Sequence, residues 1–295
     1  MSKKAEALLP CRHDGAIVAQ VEPTQRLLEH LDAEAPDLLH RHGVVPQDYR
    51  GSEVFRTAIE SIRGHYAASM TTPRQEFVRR ILELLAGKRL ISEWQPAHKI
   101  ERWDFEVEIS SSPKRTSTIE VKGGEGNSLN ISERSPYTQE FVVWCHLDGA
   151  IKNEPSRSVH SIISRLVADT LKRKKHIDAL IVRDRLCGSR LRPCPKYGSS
   201  ADYPQEGPAP DVFLFPAQVP DVLKNPKPSI HNEASCGLPF RILDAFGVRK
   251  RDRAKHLWEV HISYEAETGR GEHQVRRRVR IVHKGVALHD SIHSV

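Results

Sequence analysis

Glu120 and Lys122 stand two residues apart in the stretch 118-TIEVKGG-124. In an extended chain residues i and i+2 share a face, so this spacing presents a carboxylate and an ammonium side by side. Upstream, 102-RWDFEVEI-109 alternates strictly, with Asp104, Glu106 and Glu108 on one face and Phe105, Val107 and Ile109 on the other. The polar 110–115 stretch reads as a hairpin connection that folds this strand back against 116–122. If the polar faces coincide, Asp104, or in its place Glu106 or Glu108, meets Glu120 and Lys122. Two carboxylates on a shared face repel unless something neutralises them, and oxygen ligands suit Mg²⁺. Such an ion could polarise a phosphodiester and help generate hydroxide from water, with Lys122 beside the nucleophile. A solvated ion pair on a half-exposed strand is the competing reading of Glu120 and Lys122 taken alone.

Rigid elements must hold these groups. Thr72, Pro73 and Gln75 form a capping box at the start of a helix, and Phe77, Ile81, Leu84 and Leu85 give it an apolar face. Gly87 is a candidate terminator. Glu76 lies in the first turn, where the helix dipole favours a carboxylate. Strands are expected at 89–94, 102–109, 116–122 and 140–147. The clearest helix is 157–175, which leads into a buried strand at 177–184, a step that suggests an α/β core. Residues 185–240 are rich in proline and glycine and read as a loop-rich margin with one strand at 211–216. A hairpin over 257–267 and 274–285 closes the chain. The first 70 residues carry helical periodicity at 24–31 and 52–68.

Composition bounds the partner. The formal charge is +7, and residues 249–284 hold eleven Lys or Arg against five Asp or Glu, so nearly all of the excess sits there. A polyanion such as nucleic acid fits that balance. Five scattered cysteines argue against a disulfide framework and for a reducing compartment. No apolar run is long enough to span a bilayer, and no signal peptide is visible, so a soluble cytoplasmic protein is expected.

Asp104 followed by Glu120-Val121-Lys122 on the next strand, after a helix carrying Glu76, resembles the PD-(D/E)xK nuclease superfamily, and within it the type II restriction endonucleases. The resemblance covers about residues 72–216. It implies an α/β fold, a mixed central sheet flanked by helices with an αβββαβ core (71–216), preceded by a helical region (1–70) and followed by a loop-rich, basic hairpin region (217–295). It implies Asp104 and Glu120 as metal ligands with the Val121 carbonyl a third, Lys122 as the catalytic amine, and Glu76 as a helix carboxylate acting through water. The implied activity is Mg²⁺-dependent cleavage of double-stranded DNA at a short sequence, leaving 5′-phosphate and 3′-hydroxyl ends, by a homodimer. Trp103 stands where the family has proline, and 123–156 is long enough to hold an extra strand or loop. A repair or recombination nuclease, or a DNA-binding protein without catalysis, are the alternatives.

Further DNA contacts are expected at two places. In 129-LNISERSPYTQE-140, Glu133 could accept from cytosine N4 and Arg134 could bond guanine O6 and N7, although a surface turn serves this segment equally well. Arg276, Arg278 and Arg280 alternate along one strand at a spacing of roughly 6.8 Å, which suits successive phosphates. The competing reading is an edge strand kept soluble by charge. Cys187 and Cys194 match no zinc spacing.

Overall fold

A computed structural model of the chain describes residues 71–98, 101–123, 131–132, 134–147, 159–173, 175–184, 209–268 and 273–294. The expected helices before residue 70, the 124–128 glycine-rich stretch, Glu133, Cys187 and Cys194 lie outside the described residues.

Helix α1 spans Thr71–Gly87 and is followed by β1 (Glu93–Pro96), β2 (Phe105–Ser111), β3 (Lys114–Gly123) and β4 (Glu140–Leu147). Then come α2 (Val159–Arg173), β5 (Ala179–Asp184), β6 (Asp211–Leu214), α3 (Leu238–Ala245), a 3₁₀ turn (Lys250–Lys255), β7 (Leu257–Thr268), β8 (His273–His283) and β9 (Val286–Ser294). Among the described residues, nine strands form one sheet in sequence order. It is a mixed α/β fold with a sheet larger than the one expected, and no described helix is long and apolar enough to cross a membrane. β1, β2 and β3 are antiparallel, β3–β4–β5 run parallel, β6 reverses, β7 runs parallel to β6, and β8 and β9 are antiparallel additions.

Side-chain alternation divides the interior into two layers. Ile119 and Val121 of β3 and Val142 and Trp144 of β4 face α1 and α3. Phe141, Val143 and Cys145 of β4 face α2, together with Ile131. Parallel crossovers are right-handed in nearly all sheets. Both the α2 and the α3 crossover step sideways in the same sense, but β4 and β6 point in opposite directions. Right-handedness then demands helices on opposite faces, which is where α2 and α3 lie.

Several local expectations are corrected. α1 does not end on a left-handed Gly87. Arg89 carries the positive φ of 56°. The Leu90 N–H bonds to Leu85 O and the Arg89 N–H to Ala86 O, both at 2.9 Å. This is a Schellman closure with Leu90 folded onto the core beside Leu85. Residues 88–91 are consumed by it, so the strand expected at 89–94 starts only at Glu93. A non-glycine residue in that conformation costs about 1–2 kcal/mol. Arg89→Gly at this exposed position should therefore raise unfolding free energy by about 1 kcal/mol once the added freedom of the unfolded chain is subtracted. Urea denaturation of the two proteins checks it.

Helix α3 begins inside the 185–240 stretch read as loop and runs on to Ala245, with Leu238, Phe240, Ile242 and Leu243 buried. Pro239 sits in its first turn, where proline lacks no needed donor. Glu140 at the start of β4 caps this helix from across the fold: Gly237 N–H donates to Oε1 at 2.8 Å and Leu238 N–H to Oε2 at 3.0 Å. Strand β9 was not foreseen either; it extends the closing hairpin to three strands.

Candidate active site

The parallel strands β3, β4 and β5 all end at the same edge of the sheet. The carboxyl ends of such strands are the usual place for ligands in open α/β sheets. Glu120 and Lys122 lie there, near the end of β3. Their register partners on β4 are Val143 and Cys145, which fixes both side chains on the α2 face. Glu120 is 3% exposed. The Ser132 N–H and hydroxyl donate to its Oε2 at 2.8 and 2.9 Å. Lys122 Nζ is 2.5 Å from Oε1. Burial pushes the neighbouring Cys145 thiol up to about 12, so no thiolate chemistry competes at this edge.

Asp104 reaches the same point differently from expectation. It lies just before β2, not within it. Its N–H bonds to Ile119 O at 2.9 Å, although the ladder partner of Ile119 is Phe105, so Asp104 is out of step with the pairing. Its carboxylate therefore leaves the face shared by Glu106 and Glu108. Val121 N–H donates to Oδ2 at 2.6 Å, and Gln75 Nε2 of α1 donates to Oδ1 at 2.5 Å. The two carboxylates therefore do not share a face, as the sequence had suggested they would; they flank β3 at adjacent residues. Asp104 arrives from the strand edge and the α1 side, Glu120 from the α2 side.

The helix residue in contact with Asp104 is Gln75, not Glu76. Glu76 is held by Arg79 at 2.5 Å, and the hydrogen bond from Arg79 keeps it below the ordinary carboxylate value. Gln75 was assigned to a capping box; its amide instead spans to Asp104. Neither Gln75 nor Ser132 carries a sequence signal, because a neutral amide and a hydroxyl gain their roles only from what folds beside them. Glu106 and Glu108, the alternative ligands, turn into an open groove over β1–β3 bordered by Thr116 and Tyr137. Gln95 and Trp103 donate to Glu106 at 3.0 and 3.1 Å, and Ser111 and Lys114 hold Glu108.

The expected DNA-contact residues are not gathered at this site. Arg134 Nε donates to Thr138 O at 3.3 Å, and its NH1 lies 3.6 Å from Asp178 at the opposite end of the strands. Its guanidinium thus turns back to partners within the chain. Arg276, Arg278 and Arg280 do share one face of β8, but acidic neighbours interleave with them. Arg278 is bonded by Asp290 at 2.6 Å and Glu265 at 3.2 Å, and Arg280 lies 3.9 Å from Asp290. β8 is five strands from β3, about 24 Å across the sheet.

At the other pole, Ser235 Oγ is 3.0 Å from His231 Nδ1, and His231 Nε2 is 2.8 Å from Asp178 Oδ1. The order is that of a nucleophile, base and carboxylate. The backbone N–H groups from Ala234 to Leu238 are all bonded, to Asn232 or Glu140, so they offer no oxyanion hole. This is a structural network. His146 is buried against Trp144 and Phe77 in the core.

Among the described residues, no group of three or more His, Cys, Asp or Glu is arranged to hold a metal. The acids beside the end of β3 are Asp104 and Glu120, each already holding protein donors and each on its own side of the sheet. Carboxylate oxygens as a donor type suit a hard cation such as Mg²⁺, which keeps several waters and takes only one or two protein carboxylates. They are a poorer match for zinc, which favours nitrogen and sulfur. No family model, curated protein or solved structure matches the chain.

Proposed function

We propose that the protein is a Mg²⁺-dependent endodeoxyribonuclease of the PD-(D/E)xK kind, cutting double-stranded DNA in the manner of a type II restriction endonuclease. One observation carries this reading: at the carboxyl ends of the parallel strands the Glu120–Lys122 pair, at 2.5 Å, stands on β3 next to Val121, whose N–H donates to Asp104 Oδ2 at 2.6 Å. A helix, an antiparallel β1–β2–β3 meander and the later α2–β5 unit agree with an αβββαβ core, to which β4 and β6–β9 are additions.

In this reading Asp104 and Glu120 hold Mg²⁺, with the Val121 carbonyl a third donor. The ion supplies charge neutralisation at the phosphate and a lowered pKa for water. Ser132 and Gln75 fix the two carboxylates, so their positions need no rearrangement during the reaction. Lys122 offers an ammonium beside the nucleophile, where it would offset negative charge developing on the phosphoryl oxygens. Cutting both strands of a symmetric sequence calls for two copies of the site, hence a homodimer.

A second reading draws on a specific observation. Both carboxylates are already satisfied by protein donors, as they would be in a DNA-binding protein whose strand charges are structural. Incubating the protein with a mixed-sequence plasmid separates the two. Discrete fragments with Mg²⁺, lost on adding EDTA, are expected. A smear or end-dependent digestion would point to a repair or recombination nuclease. Salt-sensitive binding without cutting in Mg²⁺ or Mn²⁺ would favour the non-catalytic reading.

A further inference from the structure

We propose that Lys122 is a resident counter-ion of Glu120 that a divalent cation must displace, so the site's affinity for metal is set by competition with the chain's own amine. The inference rests on the metal-dependent reading of the site. Glu120 is buried, and a buried carboxylate without a partner is strongly destabilising. Its two oxygens are not equivalent. Oε2 takes both Ser132 donors, at 2.8 and 2.9 Å, from a residue that is itself 7% exposed. Oε1 carries Lys122 Nζ at 2.5 Å. Ser132 is therefore the fixed partner and Lys122 the exchangeable one.

The exchange follows from charge and reach. An ammonium and a divalent ion on one carboxylate oxygen would lie a few ångströms apart and repel strongly in a low-dielectric site. Lys122 can move: its side chain is 29% exposed, against 4% for Glu120, and ends a flexible four-carbon stem. Displacement leaves Glu120 neutralised by the new ion and held by Ser132, and frees the amine to sit beside that ion. The same lysine thus keeps the apo fold tolerable and becomes available for the reaction only when the ion arrives.

The test is calorimetric titration of the full chain with Mn²⁺ alone. Lys122→Met should bind Mn²⁺ about tenfold more tightly than the wild type, although it cannot cut, because the competitor is gone. Lys122→Arg, which keeps the charge, should bind no more tightly than the wild type. An unchanged or weaker affinity in Lys122→Met overturns the proposal while leaving a metal site in place. No Mn²⁺ uptake by the wild type overturns the metal-dependent reading along with it. Should Lys122→Met fail to fold, ¹⁵Nζ-lysine NMR of the wild type decides. The Lys122 ammonium signal must shift as Mg²⁺ saturates the protein, and a signal that stays put overturns the displacement.

Discussion

Glu120→Gln should lower the rate of Mg²⁺-dependent DNA cleavage by about 10²–10³-fold or more while the fold survives. The substitution keeps the shape and leaves the amide oxygen to accept from Ser132, so the local packing is retained. What it removes is the negative charge that would neutralise the cation. Asp104→Asn should act similarly, since its oxygen can still accept from Val121 N–H. Removing both carboxylates should cost little more than removing either, because groups that act as a unit are not additive. Plasmid-nicking rates with near-UV circular dichroism as the folding control are the measurement. Wild-type rates in Glu120→Gln and Asp104→Asn would show that the strand charges have no part in catalysis.

Asp178→Ala should be the most damaging single change to stability, at about 3–5 kcal/mol, because it strips the charge from a buried ion network. Asp178 is fully buried. Its Oδ2 accepts from Phe141 N–H at 2.6 Å, and its Oδ1 meets His231 at 2.8 Å, His176 at 3.5 Å and Arg134 at 3.6 Å. It ties the starts of β4 and β5 to the 230–235 loop and to the segment that covers Glu120. Its loss leaves an arginine, two imidazoles and a backbone N–H short of an acceptor. Urea unfolding should show the deficit. A change below about 1 kcal/mol would mean that water replaces the carboxylate, as it does for exposed pairs.

The same cluster gives the wild type a signed pH dependence. Burial lowers the pKa of His176 from its ordinary 6.5, outweighing the attraction of Asp178. A histidine held neutral by the fold contributes stability above 6.5 that is lost as pH falls through its depressed value. Burial opposes ionisation of Asp178, but the His231 hydrogen bond and the charges of Arg134, His176 and His231 together hold it below 3.8. Its contribution is present above 3.8 and disappears as pH falls further. Acidification should therefore destabilise the protein in two stages, and Asp178→Ala should lack the second.

Much of the fold was legible because local signals agreed with burial. The period of 3.6 in α1 and α2 and the apolar runs of β4, β5 and β6 announce elements that bury one face or both. The basic hairpin was legible from alternation. α3 was not, because it starts within a stretch rich in proline and glycine, and Glu140, nearly a hundred residues away in sequence, supplies the cap for its first turn. Arg89 could not be read as a left-handed residue, since only the packing of Leu90 against the core requires that conformation.

The sequence by itself determined which groups could do chemistry at the site: period two in β3 puts Glu120 and Lys122 on one face, and the hairpin between β2 and β3 brings an acidic strand alongside. Tertiary structure alone decided which acid meets them and how. A one-residue slip in pairing detaches Asp104 from the face of Glu106 and Glu108 and turns it toward Gln75, and the crossover from β3 to β4 lays Ser132 over Glu120. Side-chain direction in a strand is local and follows from backbone geometry. The partner of a carboxylate depends on register and on which segment crosses above it, and those are set by contacts between residues far apart in the chain.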